Sequence, residues 1–206
     1  MTAENAGVKV SKGERTKQKI LESAAVLFGH HEFEEVTVDA IVAAAGVSKG
    51  TFYIYFDSKD SLIASFLTEY VRNVDMAYKS HLESLPEGTP ASQMMLSLIA
   101  KIADVLTGII GNHRMRIVYG LQLSGKVDME VVKGYNRALY DLFTDVIARG
   151  LEQGEFRNTH TVETLTRHFV MAIRGLSYEW CIRYPDFDLK TQALEHFQLL
   201  LDGARK

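Results

Sequence analysis

The sequence has 206 residues, of which 47% are hydrophobic, 24% are charged and three are proline, a composition that excludes a disordered chain and suits packed helices. Cys181 is the single cysteine, which excludes an intramolecular disulfide. We find no leader segment and no apolar run near the roughly 18 residues of a membrane span. We therefore expect a cytoplasmic protein with no membrane partner. The net charge of −3 argues against nucleic acid as a partner, yet residues 1–20 hold five basic and two acidic groups, so charge alone is weak evidence.

Three short helices are predicted near the start of the chain. The apolar residues between positions 13 and 28 recur at helical spacing and predict the first helix. Thr37 is placed to cap a second helix that ends at Gly46, and Ser48 is placed to cap a third over residues 49–56. Two short helices joined by a turn that contains glycine are typical of a helix-turn-helix.

The rest of the chain also shows helical periodicity. A fourth helix is predicted from Lys59 to about Leu85, long enough to extend roughly 35 Å. Five more helices are predicted between turns rich in glycine, proline and asparagine, over residues 91–109, 113–124, 128–153, 161–183 and 188–203. The alternation of a β-strand is absent from the sequence pattern, so we predict an all-α protein of about nine helices.

Residues 15–62 resemble the signature of the TetR family of bacterial transcriptional regulators. The resemblance covers about a quarter of the chain and joins capping, turn, core and surface positions at fixed spacing. These positions are Arg15-Thr16, Ile20-Leu21, Ala24, Leu27-Phe28, Val36-Thr37-Val38, Ile41, Ala45-Gly46-Val47-Ser48-Lys49-Gly50, Thr51-Phe52-Tyr53, Tyr55-Phe56 and Ser58-Lys59-Asp60-Ser61-Leu62. Glu32 is a departure, because the family usually has glycine before the aromatic residue that follows, here Phe33.

The resemblance implies three parts: a flexible N-terminal arm over residues 1–10, a helix-turn-helix DNA-binding domain over 11–57, and a helical ligand-sensing and dimerisation domain over 58–206. It also implies that the protein is a transcriptional regulator that acts as a repressor. Its partners are then double-stranded DNA with a palindromic operator sequence, an unknown small-molecule inducer and a second copy of the chain.

The third predicted helix has two distinct sides. At 100° per residue, Phe52 and Phe56 share one side and Ile54 lies opposite. We expect Phe52 and Phe56 to be buried and the opposite side to face the major groove, where Gly50 allows close approach and Thr51 and Ile54 contact thymine methyl groups. Further DNA contacts are predicted at helix ends and flanks, namely Thr37, Ser48, Lys49, Tyr53, Tyr55 and Lys59. Ordinary solvent exposure is the alternative for these tyrosines and lysines.

The C-terminal part carries candidates for dimer and ligand contacts. The last two predicted helices hold more apolar residues than one packed face needs, and the sequence leaves open which are core and which are interface: Val162, Leu165, Phe169, Ile173, Leu176, Trp180, Leu194, Phe197, Leu200 and Leu201. Six residues are candidates to line a ligand cavity, with plain packing as the alternative: Met115, Tyr119, Tyr135, Phe143, Phe169 and Trp180. Arg114 and Arg116 suit an anionic ligand or a solvated helix end equally well.

Competing functions receive less support from the sequence. A catalytic helical bundle of the di-iron type needs Glu-x-x-His pairs, which the sequence lacks, and it also lacks a P-loop and a His-Glu-x-x-His motif. We therefore predict a protein that is not an enzyme and has no cofactor or metal; His30 and His31 suit the end of a helix. A second alternative keeps the DNA-binding domain and uses the remainder to recruit another protein.

Overall fold

The computed structural model describes residues 11–31, 35–125 and 128–205. Within these residues the chain forms ten α-helices and one π-helical segment, which follow one another as α1 Lys12–His30, α2 Val38–Ala45, α3 Lys49–Tyr55, α4 Lys59–Glu83, α5 Ala91–Asp104, the π segment Val105–Ile110, α6 Asn112–Ser124, α7 Glu130–Lys133, α8 Ala138–Glu152, α9 Val162–Arg183 and α10 Leu189–Ala204. The all-α prediction is confirmed. The expected arm at 1–10 and the departure at Glu32 lie outside the described residues.

The chain divides into two compact units, residues 1–66 and 67–206, which we call the head and the body. In the head, α2 packs against α1 and α3. The core of the head is built from residues on α1 to α4 and from two residues just outside them, Val36 before α2 and Phe56 after α3. The helical residues are Ile20, Leu21, Ala24, Ile41, Val42, Ala45, Phe52, Leu62 and Ile63.

Local side-chain chemistry sets the helix ends of the head. The Thr37 hydroxyl accepts a hydrogen bond from the Ala40 N–H at 3.1 Å, and the Ser48 hydroxyl accepts one from the Thr51 N–H at 3.0 Å. Gly46 ends α2 with a φ of 60°, in the left-handed region where a side chain is strained. The predicted caps and stop are therefore confirmed, and α1 has a further cap at Ser11 that was not predicted.

In the body, α5 packs against α8 and α10, and α9 packs against the same two helices. The stretch Ala91–Ile110 is long and apolar enough to cross a membrane by length and composition alone, so the expectation that no such run exists was wrong. Its buried side chains include Met95, Leu98 and Ile99, which belong to the body core. These contacts are those of a core helix of the body.

Two predicted helices of the body are interrupted. The helix expected over 91–109 changes to a π-helical segment after Asp104, and Gly111 then donates its N–H to the Leu106 carbonyl at 2.9 Å. The helix expected over 128–153 is two helices, α7 and α8, because Gly134 and Asn136 are poor helix formers. A Cβ on Gly134 would also lie 2.6 Å from the Glu130 carbonyl oxygen, so the close turn after α7 requires glycine.

The structure separates core from surface on the last two helices. Of the ten apolar residues that the sequence left undecided, five are buried, namely Phe169, Ile173, Trp180, Phe197 and Leu201. The other five are half-buried and pack against the same core. A different set on α9 is exposed at successive spacings of four, three and four residues: Met171, Gly175, Tyr178 and Ile182. We call this set the exposed α9 stripe.

Candidate nucleic-acid interface

Helix α3 presents one buried and one exposed side, as the sequence predicts. Phe52 and Phe56 are 0% and 3% exposed and their rings pack 5.6 Å apart in the head core. Ile54 is 75% exposed, which is unusual for an aliphatic side chain on a seven-residue helix. Because apolar groups held in solvent on a rigid helix often mark a binding surface, this side of α3 is the candidate for base contacts.

The start of α3 is shaped for close approach. Gly50 is exposed, and a Cβ there would meet nothing closer than the Ser48 hydroxyl at 3.8 Å. The fold of the head therefore tolerates a side chain at position 50, and any requirement for glycine comes from a partner. Thr51 shares a 2.8 Å hydroxyl contact with Ser48, so its methyl group is the part left for a base contact, and Ser48 acts mainly as the helix cap.

The two tyrosines of α3 differ in their surroundings. Tyr53 is 49% exposed, and its ring meets the edge of Phe52 at a centroid distance of 5.3 Å, which holds the phenol beside the exposed side of the helix. Tyr55 is half-buried, and its hydroxyl lies 3.4 Å from the point where a Cβ on Gly13 would stand. Tyr53 therefore has a solvent-facing phenol, whereas the hydroxyl of Tyr55 lies beside Gly13 at the start of α1.

The two predicted lysine contacts already have partners within the head. The Lys49 ammonium lies 2.8 Å from an Asp39 carboxylate oxygen. The hydrogen bond that Lys49 donates to Asp39, and then the charge of Asp39, raise the pKa of Lys49 above its usual value. Lys59 donates to the Val36 carbonyl at 3.0 Å, so it ties the start of α4 to the loop before α2. Removing Lys59 would therefore affect the fold of the head as well as any phosphate contact.

The six candidate ligand residues do not share one environment. Met115, Phe143, Phe169 and Trp180 are buried in the body core, and Tyr119 is half-buried with its hydroxyl donating to the Arg174 carbonyl at 3.2 Å. Burial raises the pKa of Tyr119, so its phenol stays protonated. Tyr135 is 63% exposed and lies under the guanidinium of Arg167, 4.9 Å from the ring centroid, so it would have to turn inward to line an internal cavity.

A cleft of about 360 Å³ lies elsewhere on the body. It is lined by the C-terminal half of α4, the following loop, the start of α5 and one face of α8, with Leu82, Met94, Leu142 and Val146 on its apolar walls. None of the six candidate ligand residues lines it. Among the described residues, no group of three or more His, Cys, Asp or Glu side chains is placed to hold a metal ion.

Comparison with known proteins finds a family match in the head. The family model described as "Bacterial regulatory proteins, tetR family" matches residues 20–66, which contain the helix-turn-helix and the start of α4. This part of the chain is similar to the TetR family. Helices α2 and α3 lie within the match and have the form of a helix-turn-helix.

Similarity to known regulators extends over nearly the whole chain. The sequence is 24% identical over 192 residues to a fatty acid metabolism regulator protein of Bacillus subtilis, covering 90% of this chain and 93% of the relative. It is 24% identical over 194 residues to the transcriptional repressor KstR2 of Rhodococcus jostii, covering 93% and 91%. The fold resembles Bacillus subtilis FadR in complex with stearoyl-CoA, with a TM-score of 0.69 at 21% identity and coverage of 91% and 99%.

Proposed function

We propose that this protein is a cytoplasmic, non-catalytic TetR-family repressor that binds a palindromic operator as a homodimer and leaves it when an acyl-CoA binds the body. The exposure pattern of α3 is the observation that supports this function best. An isoleucine that is 75% exposed, flanked by an exposed tyrosine and backed by two buried phenylalanines, presents apolar contact atoms on a rigid support. Thymine methyl groups in the major groove are the natural counterpart of such atoms.

The exposed α9 stripe supports the dimer. Met171, Tyr178 and Ile182 are 62%, 41% and 61% exposed, and a Cβ on Gly175 between them would meet nothing within 4 Å. A stripe that repeats about every 3.5 residues suits packing against another helix, and a small residue within it allows two helices to approach closely. We assign this stripe, together with the exposed Leu199 of α10, to contact with the same surface of a second copy about a two-fold axis.

Acyl-CoA is the ligand class that the relatives favour. One relative is a fatty acid metabolism regulator, and one similar structure holds stearoyl-CoA. In this chain, Arg114 and Arg116 are exposed in the first turns of α6, where two guanidinium groups and a helix N-terminus suit phosphate. We assign these arginines to the CoA phosphates and the apolar residues Met115, Phe143, Phe169 and Trp180 to the acyl chain. Because these four are packed in the core, an acyl chain would have to separate them.

Stearoyl-CoA is expected to raise the melting temperature of the protein by on the order of 5–10 °C at about a hundred times its Kd, because it binds the folded state alone. Differential scanning fluorimetry with stearoyl-CoA, free CoA and stearate measures this effect. The double variant Arg114→Gln/Arg116→Gln should lose most of the shift, and Arg167→Gln, which changes an exposed arginine on α9, should keep it.

Binding of stearoyl-CoA and of operator DNA must oppose each other by the same factor, since coupling between two sites is reciprocal. Equal affinity for stearoyl-CoA with and without operator DNA would contradict release by ligand. A regulator whose body recruits another protein would show no thermal shift with any of the three compounds, which distinguishes that alternative.

Ile54→Ala is expected to reduce discrimination between operator and scrambled DNA by about 1 kcal/mol per half-site, because it removes an apolar base contact. The dependence of affinity on salt should not change, since no charge is altered. Fluorescence anisotropy with an operator selected from random duplexes and with a scrambled duplex measures both quantities. Val26→Ala, which trims a 62% exposed side chain on α1, is the control within the head. A changed salt dependence for Ile54→Ala would contradict the placement of α3 in the groove.

A further inference from the structure

Lys49 and Asp39 form an ion pair between the two helices of the helix-turn-helix. Lys49 is the first residue of α3 and Asp39 lies in the first turn of α2, and their charged groups are 2.8 Å apart. The two side chains are 53% and 71% exposed. The pair therefore stands in solvent on the part of the head that carries the candidate DNA contacts.

This geometry changes what Lys49 contributes to DNA binding. Affinity for DNA phosphates comes largely from counterions that the DNA releases when a protein cation replaces them. A lysine that already neutralises a carboxylate must give up that partner to meet a phosphate, and the carboxylate it leaves then takes up a cation from solution. The net release of counterions is smaller than for an unpaired lysine.

We propose that Asp39 competes with DNA phosphates for Lys49 and thereby weakens the binding of the head to DNA of any sequence. The inference rests on the proposed function, because it requires α3 to face DNA. Non-cognate binding depends almost entirely on phosphate contacts, whereas an operator adds base contacts from residues such as Ile54. A phosphate contact contributes to both complexes, so competition for it lowers both affinities by about the same factor.

Asp39→Asn is expected to tighten binding to a scrambled duplex by about two- to fivefold for each head, hence about 4- to 25-fold for a dimer, the range expected of an exposed ion pair. The slope of log affinity against log salt should steepen by about one for each head. Affinity for the selected operator should rise by about the same factor as affinity for the scrambled duplex. Fluorescence anisotropy over a salt series measures all three effects.

The double variant Asp39→Asn/Lys49→Gln tests whether Asp39 acts through Lys49. Asp39→Asn should change affinity by less than twofold when Lys49 is already Gln. An equal gain in both backgrounds would mean that the carboxylate repels phosphate directly, which overturns the proposal. Glu22→Gln makes the same change of charge on α1, and an equal gain from it would also overturn the proposal.

Two further measurements keep the result interpretable. Asp39→Ser repeats the test without an amide that can still accept a hydrogen bond from Lys49, and thermal unfolding of every variant verifies that the head is intact. Unchanged affinity and slope in both Asp39 variants overturn this inference alone. Wild-type protein that binds neither duplex at low salt would overturn the proposed function as well.

Discussion

Asp75→Ala is expected to lower the free energy of unfolding of the body by about 3–5 kcal/mol, a large part of the total stability of a typical domain. Asp75 on α4 is 4% exposed and accepts hydrogen bonds from the Arg137 guanidinium: Nη2 donates to Oδ1 at 2.6 Å and Nε donates to Oδ2 at 2.9 Å. The Arg137 side chain is 14% exposed. Removing the carboxylate leaves a guanidinium in a largely dry site without its partner, and that uncompensated charge is the source of the loss.

Urea unfolding followed by circular dichroism measures the effect of Asp75→Ala as a fall in the midpoint with little change in slope. Asp104→Ala is the matched control, because Asp104 pairs with Lys190 at 2.9 Å but both side chains are about half exposed. Its cost should be below about 1 kcal/mol. The double variant Asp75→Ala/Arg137→Ala should be less destabilised than Asp75→Ala alone. Similar losses at Asp75 and Asp104 would contradict the role assigned to burial.

Met171→Glu is expected to convert the dimer to a monomer by weakening self-association at least about 100-fold, or roughly 2.7 kcal/mol. In a two-fold contact the substitution places two carboxylates in the same interface, and each would lose water without gaining a cation. The loss of the second head should also remove the preference for two half-sites over one. Analytical ultracentrifugation measures the first effect, and anisotropy with full and half operators measures the second.

Met76→Glu is the matched control for Met171→Glu. Met76 is 61% exposed and Met171 is 62% exposed, so the same substitution at either site begins from the same degree of exposure in the monomer. We expect Met76→Glu to remain dimeric, since α4 carries none of the exposed α9 stripe. A dimer of unchanged strength in Met171→Glu, or equal dissociation of both variants, would show that the two-fold contact lies on another surface.

The sequence by itself determined the helix ends of the head and the side of α3 that is buried. Thr37, Gly46 and Ser48 act on backbone groups only a few residues away, so their caps and turn are readable without knowledge of the rest of the fold. The orientation of α3 follows from periodicity for the same reason, because Phe52 and Phe56, four residues apart on α3 and at its C-cap, give this segment one apolar side to bury. The DNA contacts assigned to this side remain predictions.

Tertiary structure decided the charged contacts of both units. Asp75 and Arg137 are 62 positions apart, and no local pattern indicates that an aspartate in mid-helix meets an arginine before another helix. Lys59 and Val36 are 23 positions apart, and their hydrogen bond gives Lys59 a structural role that its position at a helix start does not reveal. Such pairs depend on which helices pack together, and sequence spacing carries no information about that choice.

Sequence spacing also fails to show which apolar residues of α9 are buried. Helix α9 has apolar side chains on more than one face, and periodicity ranks Phe169, Ile173 and Trp180 no differently from Met171 and Ile182. The first three are buried because α9 packs against α8 and α10, and the other two are exposed because they lie on the face turned away from the core. A hydrophobic side chain is more stable when it is buried. The arrangement of neighbouring helices decides whether the same chain buries it or whether it stays exposed for contact with a partner.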